Sequence, residues 1–266
     1  MLKPRMPNAH DPRDGYSPSF FEKLAQVEDR HFWFRFRNRL LSRLVQDLVA
    51  PLPSGFRMLE AGCGNGNVLR FLSSTIRHGK VVGIDLFEEG LKLAKQRSDA
   101  LLVRGDVHAS PFRCRFEVIA AFDVIEHLHD DHQALRDFHR LSSHEGLLIL
   151  TVPGHMTLWS YFDQASGHYR RYSRTQLMQT LDACGFRVEF ATEFMIVLYP
   201  ILWLSRRVSG WLRGSKTVDQ SLASDLRVFP LLNPILLLLL SWELPFIRRR
   251  IRIPLGSSLL AIARRA

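Results

Sequence analysis

Three acids and a set of closely spaced glycines carry the first chemical signal in this sequence. Glu60 closes an apolar run, and Gly62, Gly64 and Gly66 follow it at alternate positions. Glycines so spaced let the chain turn sharply and approach a ligand where a Cβ would clash. The apolar run Val68-Leu69-Arg70-Phe71-Leu72 then reads as a helix whose first N–H groups point at that ligand. About twenty residues further on, Val81-Val82-Gly83-Ile84-Asp85 reads as a second buried strand. Its terminal acid is placed to bind a ribose diol. Asp106, in Gly105-Asp106-Val107, is the third acid of the series.

These residues choose between two nucleotide cofactors. Dinucleotide sites read G-x-G-x-x-G and meet a pyrophosphate at the helix dipole, whereas here the pattern is G-x-G-x-G after an acid. A carboxylate repels a pyrophosphate and attracts an ammonium or sulfonium. The balance favours S-adenosylmethionine (SAM), which is cationic and carries no phosphate. A dinucleotide oxidoreductase on a similar sheet is the competing enzyme, and a protein that holds SAM without catalysis is a third reading. Asp85 and Asp106 are also residue types that simply cap helices.

Acids and glycines of this kind need a sheet edge to hold them. Strands are expected near 57–61, 80–85, 100–104, 116–122 and 145–152, with a sixth at Phe186 to Thr192 and a short final one at 258–263. Helices are expected over 20–49, near 66–75, 88–96, 130–142 and 173–184. The alternation predicts an α/β fold, a mostly parallel sheet with helices on both faces. Residues 1–50 form an arm and helical cap, 51–193 the cofactor-binding core, 194–256 an apolar insertion, and 257–266 the last strand.

The insertion stands out in composition. Of 36 basic and 26 acidic residues, eleven and three fall in 194–266, which therefore carries +8 of the net +10. The same quarter is the most apolar, with Phe194 to Leu204 and Val228 to Trp242 flanked by arginines. Basic plus apolar suggests an anionic membrane surface rather than nucleic acid. Pro230, Pro234 and Pro245 break runs already short for a transmembrane helix of ~20 residues. The expectation is a pair of helices in the membrane interface that feed an apolar or lipid-linked acceptor to the site. A lid or dimer interface over a soluble substrate is the alternative; Glu243 and the prolines weigh against a membrane hairpin. Cys63, Cys114 and Cys184 are dispersed, as in a reducing compartment. With a polar N-terminal stretch, this places the protein in the cytoplasm, peripheral on the inner face of the membrane.

The motifs resemble those of the class I SAM-dependent methyltransferases over residues 57–193. The likeness extends to the branch of ubiquinone and menaquinone methyltransferases. Within it the chain is similar to bacterial members with a His-Phe-Trp-Phe-x-x-Arg-like start and a Gly-His-x-Arg-Arg-Tyr segment. Here these are His31-Phe32-Trp33-Phe34-Arg35-Phe36-Arg37 and Gly167-His168-Tyr169-Arg170-Arg171-Tyr172. The resemblance implies a Rossmann-like seven-stranded sheet with an antiparallel last strand. It implies that Glu60, Gly62, Gly64 and Gly66 hold the methionine end of SAM and that Asp85 and Leu86 border the ribose. Asp106 and Val107 then face the adenine, and Asp123 lies beside the reacting methyl group. Two positions depart from the family pattern: Glu117 stands where Asp is usual, and Glu145 where Gly is usual.

Methyl transfer asks mainly for alignment. For a hydroxyl acceptor a base helps, and His127 and His168 are the candidates. Trp159, Tyr161, Arg170, Arg171 and Tyr172, in the loop after the fifth strand, are read as acceptor-binding, the arginines as a clamp for a phosphate or carboxylate. The same arginines would otherwise pair with Asp163. Glu126 is read as capping a helix or binding backbone groups. Trp33 and Arg37 either close over the cofactor or dock the N-terminal helix. His127, His129, His132 and His139 are read as a solvated helix face, with no metal site. No Asn-Pro-Pro-aromatic or Pro-Cys motif of a nucleic-acid methyltransferase is present.

Overall fold

The computed structural model describes residues 18–211 and 230–266. The expected arm before residue 18 and the start of the second apolar run lie outside these residues. Buried parallel strands read as apolar runs because helices cover both faces, and the sheet is built of such runs. Its strands are β1 (Phe56–Ala61), β2 (Gly79–Asp85), β3 (Leu101–Arg104), β4 (Phe116–Phe122), β5 (Ser142–Pro153), β6 (Phe186–Phe194) and β7 (Ser258–Arg265). Their order is β3-β2-β1-β4-β5-β7-β6. The first five run parallel, and β7 lies antiparallel between β5 and β6. This is the expected seven-stranded, Rossmann-like sheet.

The expected single helix over 20–49 is two helices, α1 (Pro18–Val27) and α2 (Phe32–Val49). Helical periodicity continues through the break, so the sequence pattern does not reveal it. Glu28 marks the break by tertiary bonding and His31 by a local cap. Buried Glu28 accepts from Asn65 at 3.0 Å and pairs with Arg97 at 2.9 Å. His31 takes an extended backbone, and its Nδ1 accepts from the Trp33 N–H to cap α2.

The helices α3 (Leu69–Thr75), α4 (Glu88–Arg97), α5 (Asp131–Leu141), α6 (Tyr161–Ala165) and α7 (Arg174–Ala183) complete the core. α2 packs on one face of the sheet through Phe36, Leu40, Leu44 and Val45, beside Met58 and Val118. α5 and α7 bury Leu135, Phe138, Leu177 and Leu181 with Ile119 and Leu148 of the other face. Glu145 adopts φ 55°, which explains why glycine is usual there.

Between β6 and β7 come α8 (Leu198–Trp211), α9 (Leu232–Ser241) and α10 (Glu243–Arg248). α9 docks on α2 through Leu237, Leu240 and Asn233. The Asn233 side chain accepts from the Phe32 N–H at 3.0 Å and donates to the Arg30 carbonyl. Glu243 ties this segment to the end of β6, accepting from the Met195 and Ile196 N–H groups at 2.6 and 2.8 Å. Among the described residues no helix is long and apolar enough to cross a membrane.

Candidate active site

The carboxyl ends of β1, β2 and β4 meet at one edge, as the acid-terminated runs require. Gly62, Gly64 and Gly66 have φ of 67°, 51° and 76°. The turn is tight against protein as well as any ligand. A Cβ at Gly62 would lie 2.6 Å from Val124, and one at Gly66 would lie 2.8 Å from Ala94.

Glu60 is buried, and its Oε2 has no hydrogen-bond partner. Burial pushes its pKa up to about 8, against the pull of Arg37. A buried carboxyl oxygen without a partner is rare and asks for a donor, and the ammonium end of SAM supplies one. Asp85 accepts from the Gly64 N–H at 2.7 Å and the Phe87 N–H at 2.9 Å. It thus fastens the glycine turn to β2 while keeping lone pairs for a diol; burial raises its pKa. Asp106 does cap a short 3-10 turn, accepting from the His108 N–H at 2.8 Å. Val107 beside it is buried and Leu86 is half-buried. The residues present fit SAM, with Glu60 for the amino-acid end and Asp85 and Asp106 for the nucleoside.

Two helices roof this edge. Phe21 of α1 packs 5.6 Å from the Phe87 ring and over Gly64. Arg37 of α2 reaches Asp123 at 2.7 Å and the Phe122 carbonyl at 3.0 Å, and its guanidinium lies over the Trp33 ring. Asp123, its partner, takes a left-handed conformation, φ 56°. Trp33 and Arg37 therefore dock the helix on the end of β4.

Beside this edge lie the end of β4 and the loop after β5. His127 and His168 come together, ring centroids 4.6 Å apart. The Asp163 carboxylate accepts from His168 Nδ1 at 2.9 Å, so the neutral ring keeps its lone pair on Nε2. Burial opposes ionisation of Asp163, but hydrogen bonds from His168 and Arg171 hold its pKa down at about 2. His127 bonds to the Ser166 backbone, and burial together with His168 pushes its pKa down to about 3. Each ring is thus positioned by a second group.

Arg171 donates to both Asp163 oxygens, at 2.7 and 3.1 Å, and to the Gly154 carbonyl. Arg170 pairs with Asp131 at 2.7 Å. Both arginines serve as internal struts, as the alternative of pairing within the loop would have it for Arg171. Tyr172 is buried, and its hydroxyl donates to Asp131 at 2.5 Å; it braces the loop instead of lining a site. Trp159 and Tyr161 remain half-buried, with Arg206 of α8 over the Tyr161 ring. The Glu126 side chain is fully buried, and its own backbone N–H is the one protein donor that favours its charged form; neither carboxyl oxygen meets a second group at hydrogen-bonding geometry. Burial and the nearby Asp123 raise its pKa well above the carboxylate range. His127 parts from His129, His132 and His139 to join Glu126 and His168. No spacing in the sequence brings His168 to Glu126; the Asp163-centred loop does.

The methyltransferase-domain family model matches residues 33–190. A candidate 23S rRNA (guanine-N(1)-)-methyltransferase of Bacillus subtilis is 30% identical over 248 residues, 81% of this chain and 85% of its own length. A 2-phytyl-1,4-naphtoquinone methyltransferase of Thermosynechococcus vestitus is 36% identical over 139 residues, 46% of this chain and 58% of the relative. This chain spans 58% to 63% of the length of similar mycobacterial proteins. The solved phosphoethanolamine N-methyltransferase 2 of Haemonchus contortus, bound to SAM, matches with a TM-score of 0.63 at 18% identity. That match covers 97% of this chain and 60% of the other.

Proposed function

Since the chain belongs to the SAM-dependent methyltransferases, we propose that its acceptor is an apolar or lipid-linked molecule reached at an anionic membrane surface. SAM supplies an electrophilic methyl group when bound. Glu60, Asp85 and Asp106 fix its two ends, and Arg37 and Phe21 keep water from that edge. The Glu126–His127–His168 cluster faces the acceptor side, with His168 as the residue on which the acceptor's proton chemistry turns.

The observation that carries the membrane reading is α9. Its inner face docks through Leu237 and Leu240, yet Leu232, Ile235, Leu238 and Leu239 of its outer face are exposed, as is Trp242 after it. Trp203 and Leu204 of α8 and Phe246 of α10 are exposed as well. Arg248, Arg249, Arg250 and Arg252 follow directly. Aliphatic and aromatic side chains rimmed by arginine match an anionic lipid interface. The likeness to a naphtoquinone methyltransferase supports a lipid-soluble acceptor.

The test is incubation of the protein with isotope-labelled SAM, membranes and lipid extract. Label in an extractable lipid or quinone is the expected result. Label in ribosomal RNA would transfer the assignment to the activity named for the Bacillus relative, and label in a water-soluble product would make the apolar segment a lid.

A further inference from the structure

The exposed side of α2 carries an arginine at every fourth position, Arg35, Arg39 and Arg43. Such a row by itself is an ordinary solvated helix face. Here it walls a cleft of about 320 Å³ between α2 and α3, with Arg70 and Phe71 of α3 opposite and the buried Asn38 beneath. Among the described residues Arg35 and Arg43 have no acid partner, and Arg39 donates to the Ser241 hydroxyl at 3.1 Å. The two acids that line the cleft are already engaged, Asp29 with Arg70 and Glu28 with Arg97.

Two buried donors at this place lack an acceptor. One is Arg70 Nε; the other is Asn67 Nδ2, whose own amide oxygen accepts from Asn38 at 2.9 Å. Buried donors without partners are rare. With a row of arginines beside them, the group that fits is an anion with several acceptor oxygens. Arginines one turn apart are separated by ~6 Å along the helix axis, near enough for neighbours to share one phosphate. A carboxylate has too few oxygens for the whole set.

α9 and α10 decide what carries that phosphate. They run beside α2 along its length: Asn233 accepts from the Phe32 N–H at 3.0 Å, Ser241 accepts from Arg39, and Arg248 pairs with Asp47 at 2.6 Å. The exposed Trp242, next to Ser241, and the apolar face that it ends therefore adjoin the arginine row. We propose that the α2–α3 cleft binds the phosphate of an anionic lipid headgroup while the acyl chains lie against α9. Arg35, Arg39, Arg43 and Arg70 take the phosphate oxygens. The preference for phosphate follows from the cleft; the choice of a lipid as its source rests on the membrane reading above.

The test is sedimentation of the full-length protein with phosphatidylcholine vesicles, with and without phosphatidylglycerol, alongside calorimetry with inorganic phosphate. Joint replacement Arg35→Gln and Arg43→Gln should weaken binding to the phosphatidylglycerol vesicles roughly tenfold or more. Arg113→Gln with Arg115→Gln removes the same charge from the exposed connection entering β4. That pair should change binding by less than about twofold, because salt screens charges beyond ~10 Å. Vesicles made equally anionic with oleate, a carboxylate, should bind severalfold more weakly. SAM calorimetry on each variant reports whether it still folds. Equal loss in both variants, loss in neither, or equal binding to oleate vesicles would overturn the site. Inorganic phosphate bound through Arg35 and Arg43, with no preference for phosphatidylglycerol over phosphatidylcholine, would refute the lipid as its source. Headgroup-dependent binding with no label in any lipid after the SAM incubation would preserve the site and refute the lipid-linked acceptor instead.

Discussion

At Glu60 a carboxyl group keeps one oxygen dry and unpaired, and its pKa of about 8 means that at neutral pH it is mostly protonated before SAM arrives. Only the carboxylate attracts an ammonium, so binding must expel that proton. SAM affinity should climb as pH rises toward 8 and level off above it, and calorimetry in buffers of different ionisation enthalpy would show proton release. Glu60→Gln should weaken binding roughly 10- to 100-fold and flatten that pH profile, from the ~1.5–3 kcal/mol of a charged hydrogen bond; unchanged affinity would remove Glu60 from the site. Glu60, Asp85 and Asp106 were legible in sequence because each ends a strand or follows one directly. Glu126 was not. Its isolation depends on the loop around Asp163 folding back about forty residues later in the chain, a long-range event that no local spacing records.

Among the elements, α2 does most to shape the edge. Arg37 reaches from it to Asp123 across a gap with little solvent, side chains 10% and 22% exposed. Arg37→Met should cost roughly 2–3 kcal/mol, somewhat below the loss for a fully buried pair, and should weaken SAM binding as well. A urea midpoint and a binding isotherm would measure both; a loss of stability with intact affinity would leave Arg37 a purely structural residue. α9 is the other informative element, apolar on its docked side and its outer side. Replacing Leu238, Leu239 and Trp242 together by Gln should reduce partition onto phosphatidylglycerol vesicles about tenfold or more, with the circular dichroism unchanged because all three are exposed. Retained partition would place the lipid contact elsewhere. The sequence revealed this segment's composition but not its attachment, since Asn233 and Glu243 look unremarkable until their backbone partners across the fold are known.

For the whole molecule, stability should depend on pH in a particular sense. Burial raises Glu60 to about 8 and Glu243 to about 7, the latter against two backbone donors, and Glu126 rises in the same direction. Their contribution is complete below the unfolded value of 4.5 and disappears as pH rises through each folded value. His127, depressed to about 3, acts oppositely but only below its unfolded 6.5. Between pH 6.5 and 8 the carboxyls are therefore unopposed by it, each costing roughly 1.4 kcal/mol per pH unit while it stays protonated. The denaturant midpoint of the ligand-free protein should fall across that interval, and saturating SAM should remove the Glu60 share. A midpoint that rises instead would contradict the assigned shifts. The sheet itself was foreseeable, because buried parallel strands are written as apolar runs, whereas the break at Glu28–His31 was not, because helical spacing passes straight through it. The ribosome makes the strand that joins β6 to the rest of the sheet after every residue of the apolar segment. Until 258–265 emerge, β5 lacks a neighbour on one flank and β6 has none, and the greasy helices wait beside two open edges. A nascent chain stalled there is the form of this protein most prone to stick to others, so early contact with the bilayer would shelter it before it could ever methylate anything.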